Sequence, residues 1–375
     1  MPAIDTDFPA DSVEFCPHPD ASDIFVCGTY KLDQAQLEDT SDDDEQDRQS
    51  PSTMPGKQHR TGECLLFRVD DQEQPLLLQK TPLPAILDMK WCSLSPSVAP
   101  TLAIADSEGG ITLHEYQRDE SALNQVVTIP CASKDVLCLS LDWSSRLHPS
   151  TSLGSLVVSL SNGSLALLRA DDGGGMSVTD TWVAHDHEPW IAAWNYWDTN
   201  VIYSGGDDLK MKGWDIREGF SQPIFTNKRF DAGVTTIQSH PYIENLLAVG
   251  SYDNTVRLFD TRKPLTPLTL AEVGGGAWRV KWHPSPSRQN DLLVACMHDG
   301  FKVVRFNFDS PGNLDMASPD EDHPQQWRVV SRFDEHKSLA YGVDWCAAKE
   351  RAGGEDNTLI ASCSFYDHTL HMWRG

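Results

Sequence analysis

A single pattern recurs seven times along this chain of 375 residues, and it constrains the fold more than any other feature. Each copy has a run ending in an aromatic residue, a gap often holding His-Pro, and a run of small apolar residues. A turn with Asp or Gly and an alternating run complete it. The copies fall at 12–69, 85–116, 136–170, 190–217, 234–262, 278–306 and 341–374, as in WIAAWNYWDTNVIYSGGDDLKMKGWDIR and VTTIQSHPYIENLLAVGSYDNTVRLFDTR. Between copies lies a further short run: QPLLLQ, QVVTIP, SVTDTWVA, QPIFT, PLTLAEV and WRVVSRF. Alternation with period two inside each run predicts strands rather than helices. Four strands per repeat at this spacing predict blades of a β-propeller, each burying its apolar faces against its neighbours.

The outer strands give a check on closure. Six of the seven copies are followed by one, but the last ends at Trp373-Arg374-Gly375. Ala3–Phe8, extended in character, is expected to supply the missing strand and leave no open sheet edge in the ring. The expected architecture is therefore all-β: one seven-bladed propeller of the WD-repeat type over 1–375, closed by its N-terminal strand. Residues 31–62 break the rhythm with LEDTSDDDEQDRQSPSTMPGKQ, which has no apolar period and many like charges. A disordered acidic insert in blade 1 is expected there, with an acidic docking arm as the alternative.

Composition narrows the partners. With 30 Lys and Arg against 55 Asp and Glu the formal charge is −25, which disfavours an electrostatic grip on nucleic acid or an anionic membrane. No apolar run reaches the length of a membrane span, and MPAIDTDFPADS lacks the basic start and apolar stretch of a secretory leader. The nine cysteines form no CxxC pair, and Cys16, Cys27, Cys138, Cys296 and Cys363 sit in apolar strand runs. That usage points to the reducing cytoplasm and to no zinc site; no metal and no cofactor is expected.

In a WD-type blade the loop entering the first strand and the turn between the second and third share one rim. The unusual polar residues collect there, so this rim is the candidate working face. Some have a structural role, because WD blades commonly bury a chain of loop His, turn Asp, strand Ser and strand Trp. Blade 4 offers His185, Asp208, Ser204 and Trp214. Blade 7 offers His336, Asp367 and Trp373, with Cys363 where Ser would stand. Asp253 and Asp299 are also expected as turn residues. His187, Glu188, Asp207, His298 and His368 are not required by the blade. A second group is aromatic: Trp190, Trp278 and Tyr341 stand four residues before the end-of-strand aromatic in blades 4, 6 and 7. Other blades have Leu87, Leu139 or smaller polar residues there. The three rings are expected to line the channel mouth, either as rim packing or as a cage for a quaternary ammonium, at roughly 0.5–2 kcal/mol per favourable face.

The chain carries no GxSxG elbow, P-loop, HExxH, or Gly-rich dinucleotide motif between a strand and a helix; the GGG runs at 173–175 and 274–276 read as inter-strand turns. The residues alone thus lead to a cytosolic propeller with an interaction face. Beyond that, AHDHEPWIAAWNYWDTNVIYSGGDDLKMKGWDIR, ACMHDGFKVV, EHKSLAYGVDW and the N-terminal DTDFPADSVEFCP closely resemble the eukaryotic diphthine methyl ester hydrolases, WD-repeat proteins of diphthamide synthesis. The resemblance covers essentially the whole propeller and is strongest in blades 4, 6 and 7. It implies hydrolysis of the methyl ester of methylated diphthine on a histidine of translation elongation factor 2, ahead of amidation. The trimethylammonium group of that substrate suits the aromatic trio, with His187, Glu188 and His368 as further binding residues. Ester hydrolysis needs an activated water, a base near neutral pKa and donors for the oxyanion. His298 is the expected base, oriented by Asp207 or Asp299, with backbone N–H groups of 205–207 or 274–276 as oxyanion donors. Ser204 and Cys296 look too buried for a nucleophilic route. The competing reading is a non-enzymatic scaffold, because GWDIR (213–217) and the near-match LFDTR (258–262) end consecutive blades in the WDxR pattern of substrate receptors for cullin–RING ubiquitin ligases, whose adaptor would then be a partner. A methyltransferase is disfavoured because no cofactor-binding fold is legible.

Overall fold

A computed structural model describes residues 3–32, 59–171, 175–308, 314, 316, 325–346 and 357–375. Seven antiparallel sheets are arranged as blades. Their innermost strands are Ala10–Phe15, Ile86–Trp91, Cys138–Trp143, Ile191–Trp194, Val234–Ser239, Arg279–Trp282 and Ala340–Trp345. The expected outer strands are all present, the shortest being the N-terminal Ile4–Asp5 and then Phe225–Asn227.

The period-two pattern has a direct packing consequence. Seven apolar clusters fill the seven gaps between adjacent blades, each drawing on two blades. In Leu156–Leu160, for example, Leu156, Val158 and Leu160 pack toward blade 2 while Val157 packs toward blade 4. Successive strand residues point to opposite faces, so a blade buried on both faces needs apolar residues in both phases.

The aromatic that ends the inner strand fastens one blade to the next. The indole N–H of Trp91 donates to the Glu14 carbonyl, Trp143 to that of Lys90, Trp194 to that of Asp142 and Trp345 to that of Lys281, at 2.9–3.2 Å. Each bond reaches the inner strand of the preceding blade. A buried carboxylate does the same in the last gap: Asp344 accepts the Phe15 N–H at 2.8 Å and joins blade 7 to blade 1.

Closure follows the expected route with a shorter strand. Ile4–Asp5 pairs with Thr369–Arg374, Ile4 opposite Leu370 and Asp5 opposite Thr369. Buried Thr6 then donates both its N–H and its hydroxyl to the His368 carbonyl, at 2.8 and 2.9 Å. The edges of the acidic insert are strand rather than loop, since Lys31–Leu32 pairs with Arg60 and Thr61. Residues 33–58 lie outside the described residues.

Candidate functional site

Seven positions, one per blade, define an axial cavity of about 440 Å³ at the mouth of the ring. They stand four residues before the end of each inner strand: Asp11, Leu87, Leu139, Trp190, Thr235, Trp278 and Tyr341. Local backbone geometry turns them inward. In blades 1, 2, 3, 5 and 7 the ladder to the second strand shifts register at this point, between Ala10/Ser12, Ile86/Asp88, Cys138/Ser140, Val234/Thr236 and Ala340/Val343. A bulged residue is released from the pleat and re-aimed. In blades 4 and 6 pairing begins one residue later, at Ile191 and Arg279, which leaves Trp190 and Trp278 at the start of the ladder, the Trp278 N–H donating to the Ala295 carbonyl at 2.9 Å.

The aromatic members form a continuous arc. Trp190 meets Trp278 edge-on at 5.6 Å, and Trp278 stacks on Tyr341 at 4.8 Å. Tyr252 closes the other side, 6.4 Å from Trp190 and 5.9 Å from Trp278, and Phe365 extends the arc beyond Tyr341 at 5.2 Å. Burial pushes the Tyr252 and Tyr341 hydroxyls well above their usual range, so both rings stay neutral. The Trp278 indole nitrogen is buried without a hydrogen-bond partner among the described residues. Electron-rich faces gathered around one space bind a cation in preference to a neutral group of the same shape.

Carboxylates surround the arc. Glu188 lines the cavity from the blade 4 entry loop, and Asp207 accepts the Trp190 indole N–H at 2.7 Å. Asp11 is 7% exposed. Burial pushes its carboxyl up to about 7; Arg279 opposes that rise and Asp88 adds to it. No side-chain hydrogen bond from a described residue satisfies it. Beneath the mouth Arg279 pairs with Asp88 at 3.4 Å, and deeper still Glu14 joins Lys90 and Lys281 at 2.8 and 2.6 Å. These charges on facing inner strands form the floor of the site.

His298 and Asp299 lie elsewhere. They line a neighbouring rim cavity of about 620 Å³ with Arg332, Asp334, Lys337 and Tyr366. The two cavities meet where Phe365 and Tyr366 contact at 5.0 Å. Among the described residues no hydrogen bond joins His298 to Asp207 or Asp299, the carboxylates expected to orient it. Asp207 is committed to Trp190. Asp299 is committed to Lys302 and Arg332, each at 2.5 Å. Burial opposes its ionisation, but these two hydrogen bonds hold its carboxyl below the usual range. His187 is exposed and lines neither cavity. His368 sits in the closing turn of blade 7 at φ 54°, where its carbonyl holds Thr6, and it lines neither cavity. Of the expected oxyanion donors, one is engaged elsewhere. The Asp207 N–H donates to the Glu188 carbonyl at 2.9 Å. A Cβ on Gly274 would stand 2.0 Å from Asp299 Oδ2, so this turn is glycine because it packs beneath that carboxylate.

The structural chain in blade 4 is present. His185 bonds Asp208 at 2.8 Å and Ser204 at 2.7 Å, and Ser204 accepts the Trp214 indole N–H at 2.9 Å. The order Ser–His–Asp is that of a nucleophilic triad, but Ser204 is fully buried and its oxygen is occupied. In blade 7 the serine is Ser362 rather than Cys363: Ser362 bonds His336 at 2.9 Å and accepts from Trp373 at 3.1 Å. Ser204 precedes its Trp by 10 residues and Ser362 by 11, because Ser204 stands opposite Lys212 whereas Ser362 stands opposite His371, one residue further along the hairpin. Cys363, one residue on, faces the blade 1 side instead. Cys296 is buried, and burial pushes its thiol up to about 12. The WDxR segment and its near-match close on themselves: Arg217 grips Asp215 and Arg262 grips Asp260, each with Nε–Oδ1 at 2.8 Å.

Sequence reasoning passed over Asp11 and Tyr252. Asp11 was within reach, because it occupies in blade 1 the repeat position of Trp190, Trp278 and Tyr341. Tyr252 comes from the turn after Leu246–Ser251 and had no repeat signal to mark it.

The fold and site together define a WD-repeat propeller with an aromatic-lined cavity at its axial mouth. No family model matches the chain. It is 38% identical over 353 residues to the diphthine methyltransferase of Mus musculus, covering 92% of this chain and 69% of that protein. Against the diphthine methyltransferase homolog of Dictyostelium discoideum it is 33% identical over 398 residues, covering 98% and 96%. Against the Homo sapiens diphthine methyltransferase it is 36% identical over 354 residues, covering 92% and 74%. The chain belongs to the diphthine methyltransferase family.

Proposed function

We propose that this propeller acts in diphthamide biosynthesis as a carboxylic ester hydrolase, removing the methyl ester of methylated diphthine on elongation factor 2 in the cytoplasm. The observation that carries the reading is the cage of Trp190, Trp278, Tyr341 and Tyr252 with acidic groups at its wall. The substrate presents a fixed positive charge and an ester on one side chain. A site that holds the trimethylammonium against these rings brings the ester within reach of the same walls. Glu188 and Asp207 complement the cation, and the exposed Tyr366 ring stands at the rim where a protein substrate would approach.

The relatives' name describes methyl transfer, whereas this reading transfers an acyl group to water and releases methanol. The two are distinguished by incubating the purified protein with elongation factor 2 carrying methylated diphthine and following the intact side chain by mass spectrometry. Loss of one methylene mass without added cofactor supports the hydrolase. Gain of that mass from a methyl donor supports the transferase. No change with a verified substrate supports a scaffold, to be tested next at Arg217 and Arg262.

A further inference from the structure

We infer that Asp11 is the general base of the site, taking the proton from the water that attacks the ester carbonyl. The inference rests on the hydrolase reading and deepens it. Asp11 shares the inward-turned repeat position with the cage rings, so a side chain lodged in the cage lies against it. It has no hydrogen-bond partner among the described residues, and its lone pairs are therefore available to a water. The buried carboxylates around the ring are otherwise engaged. Asp344 accepts the N–H groups of Phe15 and Trp345, and Asp106 those of Glu108 and Gly110. Asp88 accepts those of Met89 and Leu141. The groups facing Asp11 are Arg279 and Asp88 below, Tyr341 and Cys363 from blade 7, and Tyr252 across the mouth. Burial among them outweighs Arg279 and brings the carboxyl up to about 7, a basicity suited to proton transfer near neutral pH.

The reaction balances within this site. Water loses a proton to the Asp11 carboxylate as its oxygen bonds to the ester carbon, giving a tetrahedral oxyanion. The Arg279 guanidinium, which lines the cavity, is the donor for that charge. Collapse breaks the carbon–methoxy bond, and the departing oxygen takes the proton back from Asp11 as methanol. The product acid ionises to the carboxylate and releases one proton to solvent.

The experiment is methanol release from elongation factor 2 bearing methylated diphthine, by wild type and Asp11→Asn, with KM and kcat separated and folding checked by thermal melting. Loss of about 10²–10⁴-fold in kcat is expected, with KM changed little. Wild-type kcat/KM should fall on the acid side of about pH 7, a limb that needs no variant to observe. A kcat within a few-fold of wild type overturns the assignment. A rise in KM alone also overturns it, since Asp11 would then serve only as a counter-charge. Absence of methanol from wild type with verified substrate removes the hydrolase reading itself, and Asp11's role falls with it.

Discussion

The indole N–H of Trp190 donates to Asp207 across 2.7 Å, and this bond fixes the ring edge-on to Trp278 at 60°. Asp207 thus acts through Trp190 as a positioning residue. Asp207→Asn keeps an acceptor and removes a charge, while Asp207→Ala frees the ring. KM for the methyl ester should rise more for the alanine variant than for the asparagine variant, with kcat close to wild type in both. Equal loss of kcat in both would place Asp207 in the chemistry.

The cage predicts selectivity for charge over shape. Choline should compete with substrate, and the neutral isostere 3,3-dimethylbutan-1-ol should compete far less. Replacing Trp278 or Trp190 by Leu removes one face, about 0.5–2 kcal/mol, so choline inhibition should weaken by about 2- to 30-fold. Equal inhibition by the two compounds would exclude a cation-selective cage.

His298 lies in the neighbouring cavity, where Asp299 and Asp334 are held by Arg332 and no hydrogen bond joins His298 to a carboxylate among the described residues. His298→Ala should keep kcat within about 10-fold of wild type in a folded protein, far short of the loss of a general base. A larger loss would move the chemistry across Phe365 and Tyr366 into that cavity.

Ser204 separates structure from catalysis. Ser204→Ala strands the buried Trp214 indole N–H and the inner nitrogen of His185, a cost of about 1–3 kcal/mol that a melting curve reads as a loss of several degrees. Turnover per folded molecule should not change. Loss of turnover without loss of stability would make the Ser–His–Asp chain a working triad.

Asp11 should cost stability where it serves function. Its carboxyl titrates near 7 in the folded chain against an ordinary value of 3.8, so the folded state holds the extra proton between those values. Wild-type stability attributable to this group is greatest below 3.8, declines as pH rises through the window, and is fully lost above about 7. Asp11→Asn lacks that decline. Its melting temperature should exceed that of wild type above pH 7, with the gap closing toward pH 4. A gap that does not change with pH would place the Asp11 carboxyl at an ordinary value.

The repeat by itself determined the architecture: seven blades, the outer strand supplied by the N-terminus, and alternate apolar residues for the two faces of each blade. Local periodicity decides all of these, because a strand buried on both sides leaves its period in the residues. The repeat also determined that Trp190, Trp278 and Tyr341 occupy equivalent places at the mouth. Their meeting, and the partners they meet, was decided only by the tertiary structure. Repeat register could have marked Asp11, but its burial, lack of a partner and proximity to Arg279 arise from blades 1, 2, 6 and 7 converging on the axis. The same convergence placed His298 apart from Asp207 and gave Asp299 to Lys302 and Arg332, although the sequence sets His298 and Asp299 side by side. Blade 7 shows the limit at its smallest scale: a one-residue difference in hairpin register moved the serine position from 363 to 362 and turned Cys363 to the other face. Spacing along the chain sets which element a residue occupies, whereas burial and charge at a site depend on elements far apart in sequence.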